Sequence, residues 1–159
     1  MRSCGVDIAS ASYSGLALVV DGKPTIAMAF KPNNPKDSES VKIYEFYKWL
    51  NFKLAHLKPD IVVVEQVAGF PNRKVIQALS RFEGAALVAA KRTGAIVINP
   101  TVSRSRGIVV PKNQSKEKAW VAMKAKYPDF DFGNKTTGGF DKMDAMTHAL
   151  AGPTLLERG

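Results

Sequence analysis

Two carboxylates of this chain occur where burial is otherwise expected. Asp7 lies inside Cys4-Gly5-Val6-Asp7-Ile8-Ala9, and Glu65 closes the run Ile61-Val62-Val63-Val64. Burying an unpaired charge in such strands costs several kcal/mol. A cation recruiting both acids offsets that cost, because neighbouring strands come within about 5 Å of each other. The plain alternative is that each strand end projects its acid into solvent or onto a lysine. Asp141 and Asp144 stand three apart in an expected helix, so they share a face, opposite Met143, Met146 and Leu150. Acids near a helix start also commonly answer the macrodipole with no ligand present. His148, one turn beyond Asp144, reads as a ligand, a group behind the ligands, or a solvated surface histidine.

Hard carboxylate oxygens suit Mg²⁺ or Mn²⁺, whereas a zinc site draws on Cys and His, of which the chain has one and two. Two such ions about 4 Å apart activate water and stabilise the leaving oxygen of an in-line phosphoryl displacement. The charge distribution fits that chemistry. Residues 73–126 hold twelve of the 23 Lys and Arg but only Glu83 and Glu117 as acids, a segment of +10 within a chain of +9. A polyanionic partner follows, with a solvated basic surface as the alternative.

The elements that must position these residues are legible from periodicity. Residues 3–9, 13–20 and 24–30 form short apolar runs separated by turn signals, an antiparallel meander. From Ser38 to Leu57 the apolar positions recur at three- and four-residue steps, an amphipathic helix stopped before Pro59. Residues 60–67 read as a central strand buried on both faces. Arg73 to Arg92 is a helix with a wide apolar stripe, able to serve a partner surface as well as a core. Its Gly84 permits close helix approach, within one subunit or between two. Ala95 to Ile98 is a further strand, Thr101 to Lys112 a basic loop, and Ser115 caps a helix that Pro128 stops. After a polar loop from Asp131 to Gly139, the last helix runs near Phe140 to Leu150. The order predicts an α/β fold, a mixed five-stranded sheet with flanking helices.

Length and composition, 159 residues with 45% hydrophobic, predict one domain, here 1–159, with a sizeable core. No apolar stretch approaches the roughly 20 residues of a membrane span, and nothing reads as a signal peptide. The lone Cys4 implies a reducing compartment, so a soluble cytoplasmic protein is expected.

Taken together, Gly5-Val6-Asp7, Pro59-Asp60-Ile61-Val62-Val63-Val64-Glu65-Gln66-Val67 and Asp141-Lys142-Met143-Asp144-Ala145 resemble the RuvC family of Holliday junction resolvases, within the RNase H-like superfamily. The resemblance implies a single RNase H-like nuclease domain in which Asp7, Glu65, Asp141 and Asp144 are metal ligands. It further implies two Mg²⁺ ions per site, replaceable by Mn²⁺, and a homodimer cutting two strands of a four-way DNA junction symmetrically. The family places lysines in the region of Lys112, Lys116 and Lys118, with Lys116 the preferred phosphate contact. Arg73, Lys74, Arg104 and Arg106 complete the expected DNA contacts. Phe70 is the candidate for the aromatic wedge that follows Glu-Gln-Val, with ordinary packing as the alternative. Ile8-Ala9-Ser10-Ala11-Ser12 departs from the family, where Pro and Gly are usual, and suggests a divergent, phage-encoded member acting in a bacterial or infected cell. A helicase partner is left open. Rival readings are another RNase H-like nuclease on flap, branched or hybrid substrates, a non-catalytic DNA-binding protein, and a phosphate-binding ATPase, for which the chain is too short.

Overall fold

The structure, a computed structural model, describes residues 1–9, 12–69, 72–110 and 115–158. Strands β1 (Arg2–Asp7), β2 (Ser14–Val20) and β3 (Lys23–Phe30) form the expected antiparallel meander. Asp21 and Gly22 turn the β2–β3 hairpin at φ 49° and 77°, the left-handed geometry that a tight two-residue loop requires. Helix α1 (Glu39–Leu57) starts at Ser38, whose hydroxyl accepts from the Val41 amide, and ends at Lys58, before Pro59. Strand β4 (Ile61–Val64) then pairs parallel to β1, and after α2 (Arg73–Lys91) strand β5 (Ile96–Ile98) pairs parallel to β4. The sheet order is β3-β2-β1-β4-β5, so β1 and β4 are central.

Alternation along the central strands sorts their side chains between two helical layers. Cys4, Val6, Val62 and Val64 join Phe46, Leu50 and Leu54 of α1 and Leu79, Phe82 and Ala86 of α2. Burial there pushes the Cys4 thiol up to about 12, so it remains a thiol. The opposite face carries α3 (Val102–Val109), α4 (Lys116–Lys126) and α5 (Gly139–Glu157). Ala17 and Val19 meet Trp120, Met123, Met143 and Met146 there, and Ile61 and Val63 meet Ala151 and Leu155. Among the described residues no helix is long and apolar enough to cross a membrane.

Four sequence expectations are corrected. The segment from Thr101 is helical over Val102–Val109 and not a basic loop, with Ser105 buried on its inner side. The last helix extends to Glu157, through Pro153. Asp144 does not lie on a polar face opposite the methionines, because α5 is packed on several sides and Asp144 is only 2% exposed. The within-subunit account of Gly84 also fails, since a Cβ there would meet nothing within 4 Å.

Helix α5 lies unusually close to the sheet. A Cβ on Gly5 would stand 2.0 Å from the Ala145 carbonyl oxygen, and one on Gly15 would stand 2.0 Å from that of Asp141. Only hydrogen fits at either position, and this flush seating brings Asp141, Asp144 and His148 down onto the end of β1.

Candidate active site

Strand parity builds the first half of the site. Gly5 faces α5, so Asp7, two residues on, faces it too; Val63 and Glu65 stand in the same relation on β4. Parallel pairing sets Val6 against Val64, which places Asp7 and Glu65 side by side at the carboxyl ends of the two central strands. Asp7 is 6% exposed, and Glu65 is half-buried, one oxygen accepting from the Ile8 amide at 3.3 Å. The carboxyl ends of parallel strands are where an open α/β sheet offers a crevice.

The second half comes from α3, α4 and α5. Asp144 accepts from Arg106 Nε and Nη2 at 3.2 and 2.7 Å through one oxygen, and its other oxygen lies 3.0 Å from Lys116 Nζ. Asp141 lies 3.8 Å from the same ammonium. These residues line a cleft of about 400 Å³ with Asp7, Glu65, Ser12, Ile8, Val75, Leu79 and Val102. All four expected carboxylates and Lys116 are therefore brought together.

Electrostatics follow from the crowding. Burial first, then the negative charges of Asp144 and Glu65 and a hydrogen bond to Glu65, holds the Asp7 carboxyl well above the usual carboxylate range, against the pull of Lys116. Asp141 is raised as well, chiefly by burial, with Lys116 opposing. For Lys116, burial favours loss of the proton, but Asp144, Asp7 and Asp141 together outweigh it and hold the ammonium above its ordinary value. Four acids against Lys116 and Arg106 leave an excess of negative charge that divalent cations can balance. Oxygen donors of this kind suit Mg²⁺ or Mn²⁺.

His148 is corrected from a surface reading: it is fully buried. Its Nδ1 lies 2.8 Å from Ser105 Oγ, while its Nε2 has no hydrogen-bond partner. One ring nitrogen and one oxygen each from Asp7 and Glu65 lie within 4.8 Å of one another. Burial lowers its pKa, with Glu65 and Asp144 opposing, so the ring is neutral. Its four-residue step from Asp144 was the available signal, since a buried Asp144 draws His148 inward on the same face. Ser105 had no such signal.

The remaining expected residues are dispersed. Arg73, Lys74, Arg104 and Lys118 are exposed and do not line the cleft. Arg106, expected at DNA, is the exception, lining the cleft and held there by Asp144. Phe70 and Lys112 lie outside the described residues.

No protein-family profile matches the chain, and no curated protein sequence does. Solved structures do. The chain superposes on Thermus thermophilus RuvC in complex with a Holliday junction substrate with a TM-score of 0.80 at 17% identity, covering 100% of this chain and 96% of that one. A second Thermus thermophilus RuvC structure gives 0.76 at 18% identity, covering 95% of each chain. The yeast mitochondrial Holliday junction resolvase gives 0.58 at 11%, covering 92% of this chain and 75% of that one. The expected RNase H-like fold is thereby established.

Proposed function

We propose that this chain, acting as one nuclease domain, is a divalent-metal-dependent endodeoxyribonuclease that resolves four-way DNA junctions by paired symmetric cuts. The observation that carries this reading is the convergence of Asp7, Glu65, Asp141, Asp144 and Lys116 in one cleft. The cleft sits on a fold that a structural neighbour uses while holding a Holliday junction. A phosphate approaching four carboxylates meets repulsion unless cations intervene. Asp7, Glu65, Asp141 and Asp144 are the residues that would hold Mg²⁺, two ions per site, with Mn²⁺ as a substitute. When bound, such ions activate water and stabilise the leaving oxygen.

The chain's own residues bind and orient. Lys116 presents an ammonium at the cleft, where it counters charge developing on a phosphoryl group. Arg106 fixes the Asp144 carboxylate by donating twice to one of its oxygens. Arg73, Lys74, Arg104 and Lys118 hold the DNA arms through phosphates, contacts that position the substrate without reading sequence. The test is a synthetic four-way junction against matched duplex, each with Mg²⁺ or Mn²⁺. Symmetric nicks in opposing strands of the junction, with duplex intact, are expected. Equal cutting of both overturns junction selectivity, and binding without cutting in either metal overturns the nuclease reading.

A homodimer supplies the two sites that two equivalent scissile phosphates need. Support comes from an apolar groove between α1 and α2, lined by Ile43, Tyr44, Tyr47, Gly84, Ala85 and Val88. Tyr44 and Val88 are 60% and 55% exposed, and exposed Gly84 leaves room for a second helix to approach. Val88→Glu is expected to convert a dimer into a monomer in light scattering after size exclusion, and to replace paired cuts by single nicks. A variant that remains dimeric places the interface elsewhere.

A further inference from the structure

Beside Asp7 and Glu65 lies a group that the four-carboxylate reading does not use. His148 Nε2 is buried and unpartnered, a costly state for a polar atom unless something binds it. The ring is not free to turn away, because its other nitrogen is tied to the hydroxyl of Ser105, itself fully buried. When Nδ1–H donates to that hydroxyl, Nε2 carries a lone pair. Asp7 and Glu65 each place an oxygen within 4.8 Å of one nitrogen of this ring, and Nε2 is the nitrogen left without a partner. Asp144 is already countered by Arg106 and Lys116, whereas among the described residues neither Asp7 nor Glu65 forms an ion pair.

We infer that His148 is a metal ligand, its Nε2 joining the carboxylates of Asp7 and Glu65 in a mixed nitrogen and oxygen donor set that favours Mn²⁺ over Mg²⁺. The inference rests on the metal-dependent reading of this cleft and adds a ligand and a metal preference to it. In a six-coordinate ion with bonds of about 2.1 Å, adjacent ligands stand about 3.0 Å apart and opposite ones about 4.2 Å, so three donor atoms already within 4.8 Å of one another reach a shared ion by closing up to about 2 Å, within the reach of side-chain rotation. Imidazole nitrogen is a borderline donor that Mg²⁺ takes reluctantly and Mn²⁺ accepts more readily. Ser105 is then a positioning residue, fixing the tautomer and aim of the ring as outer partners of metal-bound histidines do.

Pulsed electron paramagnetic resonance of Mn²⁺ bound to the intact protein tests this without any mutation. A directly bound histidine modulates the Mn²⁺ echo with a ¹⁴N coupling, and growth on ¹⁵N-histidine replaces that pattern with the ¹⁵N one. That replacement is expected, and it is expected to persist in His56→Gln, whose ring lies on the exposed side of α1. In His148→Gln the coupling is expected to vanish, with Mn²⁺ affinity falling on the order of tenfold and Mg²⁺ affinity falling less. Mn²⁺ that binds with no histidine nitrogen coupling overturns the inference and leaves the carboxylate site standing. Failure to bind Mn²⁺ at all overturns both.

Discussion

Asp7→Asn is expected to lower the rate of junction cleavage by about 10²- to 10³-fold, the loss seen when one charge-stabilising group is removed from a preorganised site, while junction binding is retained. The same substitution is expected to raise the melting temperature of the metal-free protein at neutral pH. Asp7 is 6% exposed and faces Asp144 and Glu65, so its carboxyl is held well above the ordinary value of 3.8. A carboxyl whose pKa is raised by folding adds stability that is fully present below its unfolded value. That stability is lost as pH rises through the folded value, because the native state must then release a proton it holds tightly. Asparagine carries no charge to bury, so its advantage over aspartate is small at pH 4 and grows toward pH 8. Divalent ions reverse the ranking. Wild type gains stability from Mg²⁺ or Mn²⁺ by mass action, and the variant, lacking a ligand, gains much less. Thermal melts at pH 4 and pH 8, with and without metal, beside a cleavage assay, check each limb. An Asp7→Asn protein that cuts at the wild-type rate overturns the assignment of Asp7 to the reacting centre.

The parts of this site that sequence reveals are those in which period and burial agree. Asp7 and Glu65 interrupt apolar strands, and strand parity alone puts each on the same side as its neighbour two residues back. The sheet was legible for the same reason, since β1 to β5 appear as runs of apolar residues bounded by turns. Helix α5 misleads because a polar residue normally marks a solvent face. Asp144 and His148 instead face inward, and only the tertiary approach of α3 and α4 supplies the partners that make their burial tolerable. Helix α3 is hidden by its own composition. Its inner side begins with Ser105, a small hydroxyl that contributes no apolar period, and its arginines suggest a loop on DNA. That Arg106 turns back to Asp144 depends on where α5 lies, which no local pattern encodes.

What fixes α5 is a pair of glycines, and they carry the largest structural prediction. Gly5→Ala is expected to destabilise the protein by about 3 kcal/mol, the upper part of the range for overpacking a tight core, and to slow cleavage by about 10²-fold. The new Cβ would meet Ala145 O at 2.0 Å, Ala149 N at 2.4 Å and His148 Cβ at 2.8 Å. Two of those atoms are helix backbone, so no side-chain rotation relieves the clash. Strand β1 cannot retreat either, because it is paired on one side to β2 and on the other to β4. The helix must therefore lift by about an ångström, and Asp141, Asp144 and His148 lift with it while Asp7 and Glu65 stay on the sheet. A displacement of that size at a reacting centre accounts for the rate loss even in molecules that fold. Gly15→Ala is expected to act in the same direction, since its Cβ would stand 2.0 Å from Asp141 O at the other end of the contact. Urea unfolding gives the stability change, and cleavage rates measured where each variant is fully folded separate misplacement from unfolding. Wild-type stability in Gly5→Ala would mean that α5 does not rest on β1, and the joint placement of the four carboxylates would lose its physical basis.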